Sequence, residues 1–153
     1  MNENPVTPIP ETIRAEPQRN SENIVVGAAA GLAAALLGAA VWAAVTYFTK
    51  YQIGFMAVGV GYLVGWAMRR AGNGHSTAFG VVATVLAILG CLVGNLLSSC
   101  AFIADETQVP MTSILRILTP SVAMEILREG FTAIDALFYF LAIGAAFRNS
   151  RAE

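Results

Sequence analysis

Charge, histidine and cysteine are all scarce in this chain. Nine Lys and Arg and ten Asp and Glu make up 12% of the 153 residues, histidine occurs once and cysteine twice. The basic residues are dispersed, so there is no clustered surface for a phosphate backbone, and nucleic acid is excluded as a partner. One histidine, His75, and two cysteines, Cys91 and Cys100, do not make a zinc site, and no metal or other cofactor is implied. The two cysteines share one apolar run. If that run is helical they stand about 13 Å apart on opposite sides, too far for a bond to each other. They read as small packing residues, with a bond between chains through Cys100 as the alternative.

The chain also lacks any gathering of polar side chains that would suggest an active site. Asp105, Glu106, Glu125 and Glu129 fall in one mixed stretch and read as solvated surface charge. His75 follows a glycine-containing turn, with no nucleophile or metal partner beside it. The expectation is a protein that is not an enzyme.

What the chain does have is apolar length. Hydrophobic residues make up 56%, and the mean hydropathy of +0.64 belongs to the membrane class rather than to a water-soluble domain. Four apolar runs, residues 24–48, 53–68, 77–104 and 133–147, read as spans, giving an all-α integral membrane four-helix bundle. The first run covers about 37 Å as a helix, enough to cross a hydrocarbon core of about 30 Å with some tilt. The fourth is the shortest, and a tilted or re-entrant segment is its alternative.

Residues 1–23 carry Pro5, Pro8, Pro10 and Pro17 with few apolar side chains, and read as a disordered tail. A secretory signal is not expected, because the apolar run starts only at Ile24 and is too long. Between the third and fourth spans, residues 105–132 read as a connector. There Thr119 and Pro120 start a short amphipathic helix that lies on the bilayer or caps the bundle. Residues 149–153 form a second short tail.

Small residues recur at helical spacing on three spans. Gly27, Gly31, Ala35 and Ala39 form a ladder on the first, Gly54, Ala57, Gly61 and Gly65 on the second, and Gly90 and Gly94 belong to a stripe on the third. Such stripes let helix backbones approach closely. The second span follows the first after a very short link, so the two form an antiparallel hairpin whose small faces are expected to meet. The same surfaces are candidates for contact with a second copy or another membrane protein. The run Val58-Gly59-Val60-Gly61-Tyr62 superficially matches a potassium-channel filter, but it sits inside an apolar segment with no pore helix before it, and close helix packing is the better reading.

Four polar side chains stand out against this background: Asn95, Ser99, Asp135 and Tyr139. Asn95 reads as an interhelical hydrogen-bonding residue. Thr132 and Asp135 have capping-box spacing at the start of the fourth span, so Asp135 is an interfacial cap if the helix starts there. If that helix starts earlier, the four residues line a polar pathway of a small channel or transporter.

Arg14, Arg19, Arg69, Arg70, Arg148 and Arg151 flank one side of the spans; Lys50, Arg116 and Arg128 flank the other. That imbalance places both termini in the cytoplasm. The segments YQIGFMAVGVGYLVGWAMRRAGNG, FGVVATVLAILGCLVGNLLS and IDALFYFLAIGAAF together resemble a widespread group of small, uncharacterised bacterial multi-pass membrane proteins. The resemblance covers roughly residues 28–148 and implies four spans in a bacterial inner membrane. Some members carry a zinc ribbon ahead of the first helix; the tail here has no cysteine, so no metal is carried over. The expected role is structural, scaffolding or accessory within the lipid bilayer, with self-association through the Gly/Ala faces.

Overall fold

The computed structural model describes residues 22–51 and 53–151. Residues 1–21 of the tail expected before the first span, with Arg14 and Arg19, lie outside the described residues, as do Ala152 and Glu153 of the second tail. Six helices follow in order: α1 (Ile24–Thr49), α2 (Met56–Gly72), α3 (Thr77–Thr107), α4 (Met111–Ile117), α5 (Pro120–Gly130) and α6 (Ala133–Asn149). Among the described residues all regular structure is helical.

Local chemistry explains most of the boundaries. The Asn23 side chain accepts a hydrogen bond from the Val26 amide at 3.1 Å and starts α1. Lys50, Asn73 and Gln108 end α1, α2 and α3 in the left-handed region, with φ of 59°, 53° and 57°; reversing direction there frees the chain from the helix. The Thr119 hydroxyl accepts from the Val122 amide, with Pro120 at the first helical position of α5.

Two helices, α1 and α3, are long and apolar enough to cross a membrane; α5 and α6, bent by 103° to each other, reach that length only when taken together as one broken span. Helices α2 and α6 have 17 residues each, about 25 Å of axis, short of a 30 Å core. The connector also differs from expectation. It holds two helices, α4 and α5, because Leu118 and Thr119 adopt extended ψ values ahead of Pro120 and interrupt what would have been one segment. Both lean on the end of α3, where Ile114 and Ile126 cover Cys100 and Ala104.

In the main bundle α1 packs on α2 and α3, and α6 packs on α2 and α3, while α2 and α3 also touch. The contacts that glycines make fix the directions. Gly27 lies under Phe79, Gly90 against Ala35 and Gly94 against Trp42 and Ala39, so α1 and α3 run parallel. Gly61 meets Ala142, and Gly65 meets Ala146, so α2 and α6 also run parallel, opposite to the first pair.

This pairing corrects one expectation. The Gly61–Gly65 face of α2 does not meet the ladder of α1; it receives the backbone of α6. The α1 ladder is filled instead by Met68 and Val60 of α2 and by Phe79, Leu86 and the small stripe of α3. The reason is steric. Two smooth faces are needed only where backbones touch, and α6 supplies Ala142 and Ala146 opposite the two glycines, whereas α2 turns larger side chains into the grooves of α1.

Small side chains fill the interior and large apolar ones cover the outside. Buried positions on α1 are Gly27, Gly31, Ala34, Ala35, Gly38 and Ala39 beside Trp42 and Thr46. Leu37, Phe48 and Phe140 are 65%, 80% and 71% exposed, and Leu36, Val41, Val85, Leu137 and Leu141 also face outward. A water-soluble helical domain has the opposite distribution.

Candidate functional site

The most polar part of the bundle interior lies toward the end where α1 finishes, α2 starts, α3 nears its C-terminus and α6 starts. It is assembled from three helices. Asn95 on α3 is 1% exposed, and its side chain faces the Tyr139 hydroxyl on α6. Cys91 lies one turn before Asn95 on α3, and Asp135 one turn before Tyr139 on α6. Cys91 Sγ donates to the Ala57 carbonyl of α2 at 3.6 Å. Ser99 is one turn further along α3 and points toward Gly130 at the end of α5. Asn95, Tyr139 and Asp135 are thus brought together, and Ser99 lies at the rim, under the connector.

Asp135 behaves as a cap. Helix α6 begins at Ala133, and Asp135 Oδ2 accepts from the Thr132 amide at 2.8 Å and from the Thr132 hydroxyl at 2.6 Å. Its other oxygen lies near Gly54, at the entrance to α2. The Asp135 side chain, only 7% exposed, therefore sits at the positive end of the α6 dipole with two donors.

A second polar contact joins α1 to α3, where the Thr46 hydroxyl donates to Ser98 Oγ at 3.2 Å, both fully buried. One turn away, Trp42 packs on Gly94, and its Nε1 has no hydrogen-bond partner among the described residues. Trp42 is internal, 1% exposed, because Gly94 leaves the space its ring occupies. Trp42, Thr46 and Ser98 were absent from the expected site, although Trp42 and Thr46 continue the spacing of the Gly31, Ala35 and Ala39 ladder.

The sequence-expected packing residues all lie at helix contacts or helix ends. Gly27 and Gly31 sit beneath Phe79 and Met68, Ala35 and Ala39 meet Gly90 and Gly94, and Gly54 lies beneath Phe138. Ala57 is fully buried at the α2–α3 contact, and Gly61 and Gly65 touch α6. The faces expected to join separate chains are therefore occupied within the fold, and any second copy would meet the larger outward side chains. Both cysteines are free and buried. Cys100, the alternative candidate for a bond between chains, is covered by α4 and α5.

No protein-family model, curated protein or solved structure matches this chain. The resemblance to a bacterial membrane group rests on its three quoted segments alone. Among the described residues no three His, Cys, Asp or Glu side chains converge in a way that would hold a metal ion.

At the opposite end of the bundle the α2–α3 turn is tied to the start of α1. The Asn23 amide donates to the Gly72 carbonyl at 2.9 Å, and the His75 amide donates to the Glu22 carboxylate at 2.7 Å. A hydrogen bond from the Ser76 side chain, with that from the His75 amide, holds the Glu22 carboxyl below its ordinary value. These bonds fix the helix ends; they do not form a reaction centre.

Proposed function

We propose that this chain is a multi-pass integral membrane protein with a structural, scaffolding or accessory role and no catalytic activity of its own. The observation that carries the reading is the inside-out packing: glycine and alanine within, and leucine, valine and phenylalanine facing outward around α1, α3 and α6. Lipid is the solvent that such a surface fits. In this reading α1, α2, α3 and α6 all cross. The two short helices are extended at their ends by Tyr51 and the arginines 69 and 148, and α4 and α5 lie on the bilayer surface. Arg69, Arg70, Arg148 and Arg151 then face the cytoplasm of a bacterial inner membrane, with the start of α1 on the same side.

The test is extraction plus topology. Protein in native membranes should resist alkaline carbonate, and appearance in the soluble fraction would overturn the membrane placement. A reporter active only outside the cytoplasm should be silent after Arg151 and active near Gln108. The reverse would overturn the orientation. A pull-down from native membranes should recover a stoichiometric membrane partner; a chain that purifies alone after mild solubilisation and crosslinking would remove the accessory role.

The convergence of Asn95, Tyr139 and Asp135 favours a second reading, a small channel or transporter with Ser99 at its rim. Flux across protein-containing vesicles, reduced in Asn95→Leu, supports it; flux no greater than in empty vesicles across a broad solute panel removes it.

A further inference from the structure

The outer side of the α2–α6 pair holds a groove of about 510 Å³ that the helix contacts do not use. Phe55, Val58 and Tyr62 form one wall, and Phe140, Gly144 and Arg148 lie along the other. The Asn149 side chain donates to the Tyr62 carbonyl at 3.0 Å and closes the two helices behind it. From Phe140 to Arg148 the groove runs two turns of helix, about 12 Å, most of the depth of one leaflet of a 30 Å core.

Two features of this groove have no role inside the fold. Gly144 is one of two helical glycines where an added Cβ would meet nothing within 4 Å. Unlike Gly61 and Gly65 it is not there for helix contact, yet it deepens the groove floor. Arg148 stands exposed at the end of the groove, and the ion pair among the described residues is elsewhere, between Lys50 and Asp105. Among the described residues no carboxylate lines the groove. It is an apolar slot, one leaflet deep, with a single cation at its mouth.

We infer that this groove seats an acyl chain of an anionic glycerophospholipid from the cytoplasmic leaflet, with its phosphate on the Arg148 guanidinium. The arrangement matches an amphiphile with one negative headgroup in both length and charge. A second copy of the chain fits worse. Copies in one membrane share an orientation, so a two-fold dimer across this groove would set Arg148 against Arg148 with no acid between them. The walls also carry large aromatic side chains instead of the small residues that bring helices together. The inference rests on the membrane placement proposed above.

The test uses Trp66, half exposed on α2 one turn beyond Tyr62; the other tryptophan, Trp42, is buried. Full-length protein is reconstituted in phosphatidylcholine bilayers with a minor fraction of phosphatidylglycerol or phosphatidylcholine brominated on its acyl chains, and fluorescence quenching is compared. Brominated phosphatidylglycerol should be enriched about fivefold over brominated phosphatidylcholine, from one favourable cation contact. Arg148→Gln should abolish that preference. Gly144→Leu, whose Cβ meets no neighbour within 4 Å and whose side chain occupies the floor, should lower quenching by both lipids. Equal quenching by the two lipids, or a preference that survives Arg148→Gln, overturns the groove assignment while leaving the membrane placement intact. No quenching by either lipid overturns the membrane placement and this inference with it.

Discussion

A Cβ built on Gly65 would stand 2.6 Å from the carbonyl oxygen of Ala146, closer than real side chains approach a backbone oxygen. One turn away the same relationship holds between Gly61 and Ala142. The α2–α6 contact is therefore a backbone-to-backbone contact, and neither helix can withdraw locally because α3 packs against both.

Gly65→Ala and Gly61→Ala should each destabilise the bundle by about 1–3 kcal/mol, the usual range for forcing extra methyl groups into a packed interface. Gly65→Leu should release α6. Gly59→Ala and Gly144→Ala, where an added Cβ meets nothing, should be neutral or slightly stabilising because alanine favours helix. Denaturant titration in mixed micelles reads the difference; equal behaviour of the two pairs would place the contact on another face of α2.

Asp135→Ala should cost about 0.5–2 kcal/mol, as expected for loss of a helix cap. Asp135→Asn keeps an acceptor oxygen and should cost less. Stability should fall in parallel with protection of the amides in the first turn of α6, measured by hydrogen exchange. A variant that keeps its stability but changes solute flux would assign the carboxylate to a pathway.

The Lys50–Asp105 pair joins the ends of α1 and α3. Both side chains are well exposed, so Asp105→Asn should cost no more than about 1 kcal/mol, and the loss should vanish in 1 M salt, where screening is nearly complete. Lys50 also occupies the left-handed region. Lys50→Gly should therefore be less harmful than Lys50→Ala, since only glycine relieves that backbone conformation. Chemical denaturation at low and high salt measures both effects.

The Glu22 bonds give a local pH dependence with a defined sign. Hydrogen bonds from Ser76 and His75 lower its folded pKa, so the stabilisation is fully present above the ordinary glutamate value and is lost as pH falls through the folded one. Protection of the His75 amide should weaken on acidification in the native protein. In Glu22→Gln it should be weaker throughout and lack that transition; identical profiles would show that the carboxylate does not hold the turn.

Neither cysteine should react with thiol reagents in the folded protein, because both are buried. Mild oxidation should yield no disulfide-linked dimer. Labelling of Cys100 without unfolding would show that α4 and α5 do not stay on α3.

Helix α2 runs Met56–Gly72 where 53–68 was expected, but three helix starts were legible because their signals are local: Asn23, Thr119–Pro120 and Thr132–Asp135 each mark one within a few residues. Partner choice was not. Gly61 and Gly65 mark a surface that backbone can approach, but the approaching element is set by Ala142 and Ala146, far along the chain and unremarkable within their own apolar run. Trp42 shows the same limit, since its burial depends on Gly94 and not on its place near the end of α1. Asn95 and Tyr139 could be picked out as polar residues in apolar runs, while their meeting depends on α3 and α6 running antiparallel.

The parallel α2–α6 pair also sets an order of events during synthesis. Helix α2 is complete long before α6 exists, because α3, α4 and α5 must be made in between. Until α6 arrives, the glycine face of α2 lacks the backbone it packs against, and in the membrane placement proposed above lipid chains or a membrane chaperone must cover it. A ribosome stalled between Gly130 and Ala133 would hold the chain in that half-assembled state, in which a nascent-chain crosslinker at Gly61 would capture lipid or chaperone instead of α6.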